Sequence, residues 1–123
     1  MKEKNLNVSV MLEYYGNMLT DRQREVIELY YNEDLSLQEI SEHVLITRQG
    51  VRDLIVRGER VLFELEDKLG FMTRSGQIKI SLEQIHSDIF DIRDINNRKF
   101  NSIDIDNKIS SIRSELEIIS NGI

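Results

Sequence analysis

The chain has 123 residues, the length of one domain with an appendage, and it contains no Cys, Pro or Trp. The absence of Cys excludes a disulfide framework, a thiolate zinc site and a Cys nucleophile. The net charge of −6, from 16 Lys and Arg against 22 Asp and Glu, excludes a uniformly basic coat for nucleic acid but allows a local basic patch.

The first part of the chain carries the pattern of several helices. Capping boxes of the form Ser/Thr-x-x-Glu/Gln indicate helix starts after Thr20, Ser36 and Ser81, because each box satisfies free backbone amides. Apolar residues at steps of three and four follow each box, so the sequence predicts an all-α helical bundle. Before residue 70, the spacing predicts helices over about residues 6–18, 21–32, 37–43 and 48–68.

The third and fourth predicted helices have the layout of a helix-turn-helix motif. A short helix, a tight turn at Leu45 and Ile46, and a longer helix with a basic start are typical of it, so residues 1–70 are predicted to form a helix-turn-helix domain. Leu45 carries a steric cost if its φ is positive. Gly58, on the apolar stripe of the fourth helix, either lets another helix approach closely or is a tolerated weak point costing about 1 kcal/mol.

The start of the fourth predicted helix holds the candidate nucleic-acid-binding residues, which are Thr47, Arg48, Gln49, Arg52 and Arg57. Arg and Gln side chains suit guanine and adenine edges in the major groove, Thr47 can cap the helix and touch a phosphate, and Arg57 is placed to reach the backbone. The segment 47–60 has a local charge of +2. The alternative hypothesis is a protein-binding scaffold in which Arg48 and Arg52 form surface ion pairs.

The C-terminal part predicts a hinge followed by a helical pair. Gly70 and the residues from Thr73 to Gly76 are polar or flexible and show no helical periodicity, so a hinge is predicted at 71–80, with a short extended piece at 77–80. Residues 81–123 are predicted to form a helical hairpin, because apolar residues recur at steps of three and four. Two helices with narrow apolar stripes cannot bury them alone, so they are expected to pack on each other, on the first domain or on a second copy.

Several separated blocks agree in order with a known family; they are Thr20–Arg24, Glu28–Tyr31, Leu35–Ile40, Thr47–Val51 and Asp53–Ile55. Over about residues 8–71 the chain resembles the YlxM family of small bacterial proteins, whereas the tail does not match it residue by residue. The resemblance implies a fold like the DNA-binding region 4 of sigma factors, a regulatory role, and a link to the signal recognition particle pathway. It also implies that Thr47, Arg48, Gln49 and Arg52 contact DNA. It implies no catalytic residue.

No other set of residues points to chemistry. His43 and His86 lie far apart, and a row of aspartates from Asp88 to Asp94 is typical of a solvated face, so neither a metal nor a cofactor is expected. The chain shows no nucleophile–base pair and no apolar run near the ~18 residues of a membrane span, so a non-enzymatic cytoplasmic protein is expected. The expected partners are DNA or structured RNA, signal recognition particle components and a second copy; the alternative is a protein–protein adaptor that docks through its apolar C-terminal helices.

Overall fold

The computed structural model describes residues 5–122, so the charged start at residues 1–4 and the last residue lie outside the described part. The described residues form six α-helices and no strand, which confirms the all-α prediction. The helices are α1 (Asn7–Tyr15), α2 (Asp21–Tyr31), α3 (Leu37–Val44), α4 (Arg48–Leu69), α5 (Phe71–Ile95) and α6 (Ile103–Asn121). Contacts divide the chain into an N-terminal unit that ends at Met72 and a C-terminal unit that begins at Thr73.

In the N-terminal unit, α1, α2 and α3 all pack against α4. The side chains that form this core are fully or almost fully buried, and they include Val8, Met11, Val26, Ile27, Ile40, Val51, Ile55 and Leu62. Gly58 of α4 is buried among them, and a methyl group at this position would overlap Cδ1 of Ile27. Of the two interpretations of Gly58, the structure therefore supports the close approach, here of α2 on α4.

Two of the three predicted capping boxes are present. Thr20 Oγ1 accepts from the Gln23 amide at 3.2 Å, and the Gln23 side chain accepts from the Thr20 amide at 3.1 Å. Ser36 makes the same pair of hydrogen bonds with Glu39 before α3. The box predicted at Ser81 is wrong because Ser81 lies inside α5, where backbone amides already bond within the helix and leave nothing to cap.

The extended piece predicted at 77–80 is wrong, and the segment 71–80 predicted as a hinge is helical, since these residues belong to α5. Gly70, with φ of +64°, ends α4, and α5 begins at the next residue. The first two backbone amides of α5 donate to side-chain acceptors. Phe71 N donates to the Tyr15 hydroxyl at 3.1 Å, and Met72 N donates to Glu66 Oε1 at 2.9 Å. Gly76 lies in the helix interior, where its cost of about 1 kcal/mol is too small to break the helix.

In the C-terminal unit, α5 and α6 pack against each other as a hairpin around four buried residues, namely Leu82, Ile89, Ile109 and Leu116. Asn96, only 1% exposed, holds the connection between the helices. Its side-chain amide donates to the Ser102 carbonyl at 3.0 Å and to Asp106 at 3.1 Å, and it accepts from the Ser102 amide at 2.9 Å. Ser102 caps α6 by accepting from the Ile105 amide. Because only four apolar residues of α5 and α6 are buried between the helices, much of their apolar stripes stays exposed.

Candidate nucleic-acid interface

The turn between α3 and α4 is held by a short polar contact. Leu45 adopts the left-handed conformation with φ of 60° and ψ of 42°, and its side chain is 87% exposed. The Ser41 hydroxyl, near the crossing of the two helices, donates to the Ile46 carbonyl at 2.5 Å. The steric cost expected of Leu45 is therefore present, at about 1–2 kcal/mol, and the Ser41 hydrogen bond closes the same turn.

Arg22 connects α2 to this turn. One terminal guanidinium nitrogen of Arg22 donates to the Val44 carbonyl at 3.3 Å, which satisfies a carbonyl that the end of α3 would otherwise leave unpaired. Local sequence patterns do not reveal this role, because Arg22 and Val44 are 22 positions apart. Arg22 is thus a positioning residue for the helix-turn-helix.

The N-terminus of α4 is capped and open to solvent. Thr47 Oγ1 accepts from the Gly50 amide at 2.9 Å, as the sequence led us to expect. The first turn of α4 contains no acidic residue, so the positive end of the helix dipole is not neutralised there. Arg48, Gln49 and Arg52 are exposed, while the buried side of the same turns packs into the core. This edge can therefore approach an anionic surface.

The polar side chains of this edge differ in whether they bond to a neighbouring side chain. Within residues 5–122, the guanidinium groups of Arg48, Arg52 and Arg57 form no ion pair with a carboxylate. Gln49 Nε2 donates to Asp53 Oδ1 at 3.0 Å, so the nearest acid on α4 is engaged by an amide and not by an arginine. The surface ion pairs that the scaffold hypothesis assigned to Arg48 and Arg52 are not formed in the described part of the chain.

The helix brings some of the candidate residues together and separates another. Arg48 and Arg52 are one turn apart, about 6 Å along the axis and about 40° around it. Arg57 follows Arg52 by five residues, which turns it about 140° around the axis. Arg57 therefore lies on another side of α4 from Arg48 and Arg52, although it is exposed as they are.

Two acids of the aspartate row, which the sequence assigned to a solvated face, have ordinary partners. In the aspartate row of α5, Asp88 accepts from Gln84 and Asp94 pairs with Arg98, both at 3.0 Å. No cluster of three or more His, Asp or Glu residues suited to a metal ion occurs among the residues that the structure describes. In the same described range, no helix combines the length and the apolar character needed to cross a bilayer.

Comparison with known proteins extends the resemblance along the chain. A protein-family model described as "Putative helix-turn-helix protein, YlxM / p13 like" matches residues 2–104. The match continues past the region 8–71 and through α5. The resemblance stated for about residues 8–71 therefore extends as far as residue 104.

Curated bacterial relatives show the same relationship. The chain is 46% identical over 77 residues to a UPF0122 protein of Clostridium kluyveri, an alignment that covers 63% of this chain and 69% of the relative. It is 45% identical over 85 residues to a UPF0122 protein of Desulforamulus reducens, covering 69% and 72%. A UPF0122 protein of Clostridium novyi is 33% identical over 121 residues, covering 98% and 96%. This last likeness includes both units.

Proposed function

The chain belongs to the UPF0122 family of YlxM/p13-like helix-turn-helix proteins, and we propose that it is a regulatory protein that binds nucleic acid through the N-terminal edge of α4. One observation carries the proposal: the exposed guanidinium groups of Arg48 and Arg52 lie in the first turns of α4 without an ion pair in the described residues. Double-stranded DNA is the proposed target, and structured RNA is the second one.

The chemistry of the edge suits a major groove. Arg48 and Arg52 would donate to guanine O6 and N7, and Gln49 would pair with adenine N6 and N7. The Thr47 hydroxyl accepts from Gly50 and keeps its own hydrogen for a phosphate oxygen near the helix N-terminus. Arg57, on another side of α4, would contact the phosphate backbone of the nucleic acid. Because phosphate contacts dominate affinity and this patch is small, binding should weaken steeply with salt.

A double substitution tests the proposal. Arg48→Ala/Arg52→Ala should weaken binding to genomic DNA fragments by about 1–3 kcal/mol for each arginine that reads a base. If the arginines contact phosphate instead, the slope of log affinity against log salt should fall by about one for each residue. The measurement is a fluorescence titration of the full chain at several salt concentrations, with signal recognition particle RNA run in parallel.

The matched control is Arg93→Ala/Arg113→Ala, which removes the same charge from two exposed arginines of the C-terminal unit. It should leave binding within about twofold of the parent once salt is present, because neither arginine belongs to the proposed edge of α4 and salt screens exposed charges. Equal losses in the two variants would reduce the effect to net charge and contradict the proposal. A parent chain that binds neither nucleic acid would contradict it outright.

The proposed setting is the cytoplasm of a bacterium, and the proposed pathway is that of the signal recognition particle. The YlxM resemblance supports this link, and the parallel titration with the particle's RNA addresses it directly. A preference for that RNA over DNA fragments of equal length would place the regulatory role in protein targeting. We also propose a homodimer as the working form, since dimeric helix-turn-helix proteins use one region for pairing and another for the groove.

A second candidate function is a protein–protein adaptor without enzymatic activity. It is favoured by the large apolar side chains that remain exposed on α5 and α6, among them Ile80, Phe90, Ile92 and Ile118. In this case the purified GTPase of the signal recognition particle should bind the parent and Arg48→Ala/Arg52→Ala equally. A glutamate on the apolar side of the hairpin, as in Ile85→Glu, should abolish that binding. No binding of the GTPase by the parent would eliminate this candidate.

A further inference from the structure

The two helices of the C-terminal unit share one sequence repeat. Apolar positions in each alternate steps of four and three residues, which is the 3.5-residue period of helices that pack in left-handed bundles. In α5 the positions are Ile78, Leu82, Ile85, Ile89 and Ile92, and the next position of the repeat, just beyond the end of α5, is the buried Asn96. In α6 they are Ile105, Ile109, Ile112, Leu116 and Ile119. A bundle repeat of this kind has two lines of core positions per helix.

Only one of the two lines is buried inside the hairpin. Leu82 and Ile89 of α5 pack against the buried line of α6. The other line is isoleucine throughout, and we call it the isoleucine face: Ile78, Ile85, Ile92, Ile105, Ile112 and Ile119. Apart from the partly buried Ile105, these side chains are 41–49% exposed. They are thus positioned as core residues but lack the second layer that would cover them.

The isoleucines of the two helices lie on the same side of the hairpin. At one end, Ile78 of α5 and Ile119 of α6 line one groove. At the other end, Ile92 of α5 and Ile105 of α6 line another. The heptad spacing places the remaining two isoleucines between these ends. The six side chains therefore form one continuous apolar surface along the hairpin.

The opposite side of the hairpin carries charged side chains beside apolar ones. A groove there is lined by His86, Arg93 and Arg113 together with Phe90. A neighbouring groove on this side is lined by Lys79, Glu83 and His86. The isoleucine face, by contrast, contains no charged residue along its line.

We infer that the isoleucine face pairs with the same face of a second copy of this chain and completes a four-helix bundle. The inference deepens the proposed dimeric form and does not depend on nucleic-acid binding. A helical hairpin with a 3.5-residue repeat finds its complement in another hairpin of equal length and equal repeat, and a second copy supplies both.

The charges beside the face fit this occupant. Asp88 of α5, and Lys108 and Glu115 of α6, occupy the heptad positions that flank the isoleucine line, and all three are exposed. Two two-fold arrangements keep neighbouring helices antiparallel. Lys108 approaches Glu115 of the second copy in one arrangement and Asp88 of the second copy in the other. Either arrangement pairs opposite charges at the rim, as bundle helices do at such positions.

The size of the face is also sufficient. From Ile78 to Asn96 the hairpin is about 28 Å long, and two adjacent helices are about 20 Å wide. The projected area is therefore about 560 Å², and a corrugated surface of this projection approaches the ~800 Å² per partner of a standard stable interface. The second copy would cover the isoleucine face along its whole length.

The test is the mass of the full chain in solution. Sedimentation equilibrium from about 1 to 100 µM should show a dimer for the parent. Ile85→Glu/Ile112→Glu places four carboxylates in the paired surface and should raise the dissociation constant of the dimer at least about 100-fold. The helical circular dichroism should stay unchanged, because both side chains are already half-exposed in the single chain.

The control for this substitution is Phe90→Glu, on the opposite side of the hairpin. Phe90 is 73% exposed, more than any member of the isoleucine face, so general hydrophobic association would respond to it more strongly. Under our inference Phe90→Glu leaves the dimer unchanged. A monomeric parent over the whole range, an unchanged dimer in Ile85→Glu/Ile112→Glu, or equal dissociation by Phe90→Glu would overturn the inference. Binding of the signal recognition particle GTPase to the face of a monomeric parent would assign it to that partner instead.

A cross-linking experiment covers the case in which the glutamate variant does not fold. The chain has no native Cys, so a short bis-maleimide reagent reports only the introduced thiols. Cross-linked dimers are expected either for Ile85→Cys alone or for a mixture of Ile85→Cys with Ile112→Cys, according to the two-fold arrangement. Phe90→Cys should give none. Cross-linking in neither of the first two samples would overturn the inference, whatever the outcome of the nucleic-acid titrations.

Discussion

Leu45 is the residue whose backbone conformation fits its side chain least. Three non-glycine residues of the described chain have positive φ, and the other two, Asp34 and Asn101, are of types that tolerate this conformation. Leu45 gains little in return, because its side chain is almost fully exposed. The turn is instead maintained by Ser41 and by the buried residues on either side of it.

Leu45→Gly should therefore stabilise the protein. Relief of about 1–2 kcal/mol of strain, less about 0.4–1 kcal/mol for the greater freedom of glycine in the unfolded chain, should raise the free energy of unfolding by about 0.5–1 kcal/mol. Urea denaturation followed by circular dichroism measures the change. Leu45→Ala keeps the strain and is the control, so a gain of the same size in Leu45→Ala would contradict this explanation.

At the scale of elements, two glycines in long helices have opposite surroundings. Gly58 lies where α2 crosses α4, and an added methyl group would collide with Ile27. Gly76 lies in α5, and beyond its chain neighbours and the adjoining helix backbone no atom of the described chain lies within 4 Å of an added Cβ. Helix propensity favours alanine at both sites by about 1 kcal/mol, so packing decides the difference.

We expect Gly58→Ala to lower the free energy of unfolding by about 1–3 kcal/mol, because the fully buried Ile27 cannot move aside without disturbing the core. Gly76→Ala should raise it by up to about 1 kcal/mol. Thermal and urea unfolding of the two variants provide the comparison. If Gly58→Ala were as stable as the parent, the close contact between α2 and α4 would not be a real constraint.

At the scale of the whole molecule, the negative charge is concentrated in the unit that carries the basic edge. Up to Met72 the chain has nine Lys and Arg against fourteen Asp and Glu, while the remainder has seven against eight. The overall field of the N-terminal unit therefore opposes a polyanion, and association must depend on the local arrangement around Arg48 and Arg52.

Tyrosine–glutamate hydrogen bonds join helices of the N-terminal unit and make its stability change with pH in the alkaline range. Tyr31 of α2 donates to Glu59 of α4, and Tyr15 of α1 donates to Glu66 of α4 at 2.6 Å. Burial, and next the hydrogen bond to the glutamate, raise the pKa of both phenols above the ordinary value of 10.0. The folded protein therefore holds these protons more tightly than the unfolded chain does.

The contribution of these two phenols to the free energy of unfolding should therefore be constant below pH 10. It should decrease as the pH rises above the ordinary phenol pKa. Urea midpoints measured from about pH 8 to 11 test this expectation. Tyr31→Phe removes one of the two phenols, so it should lower stability at pH 8 and make the alkaline decline shallower. An equally steep decline in Tyr31→Phe would show that Tyr31 does not contribute to it.

Local patterns predicted much of the fold and of the candidate site. The capping boxes at Thr20 and Ser36 and the spacing of the helix-turn-helix depend on residues within a few positions of each other, and the structure contains them. The box at Ser81 failed because a cap requires a helix start, and Tyr15 and Glu66 had already provided acceptors for a start at Phe71. The contact between Phe71 and Tyr15 joins residues 56 positions apart and leaves no trace in a local pattern.

The sequence by itself determined that the chain is helical, where most helices of the N-terminal unit begin, and which residues form the basic edge of α4, because these properties follow from backbone capping and from the period of the helix. Only the tertiary structure decided that α5 is continuous, that Arg22 supports the turn, and which line of isoleucines stays exposed. Helical periodicity identifies the apolar sides of a helix. Which of them is buried depends on the packing of another helix against it.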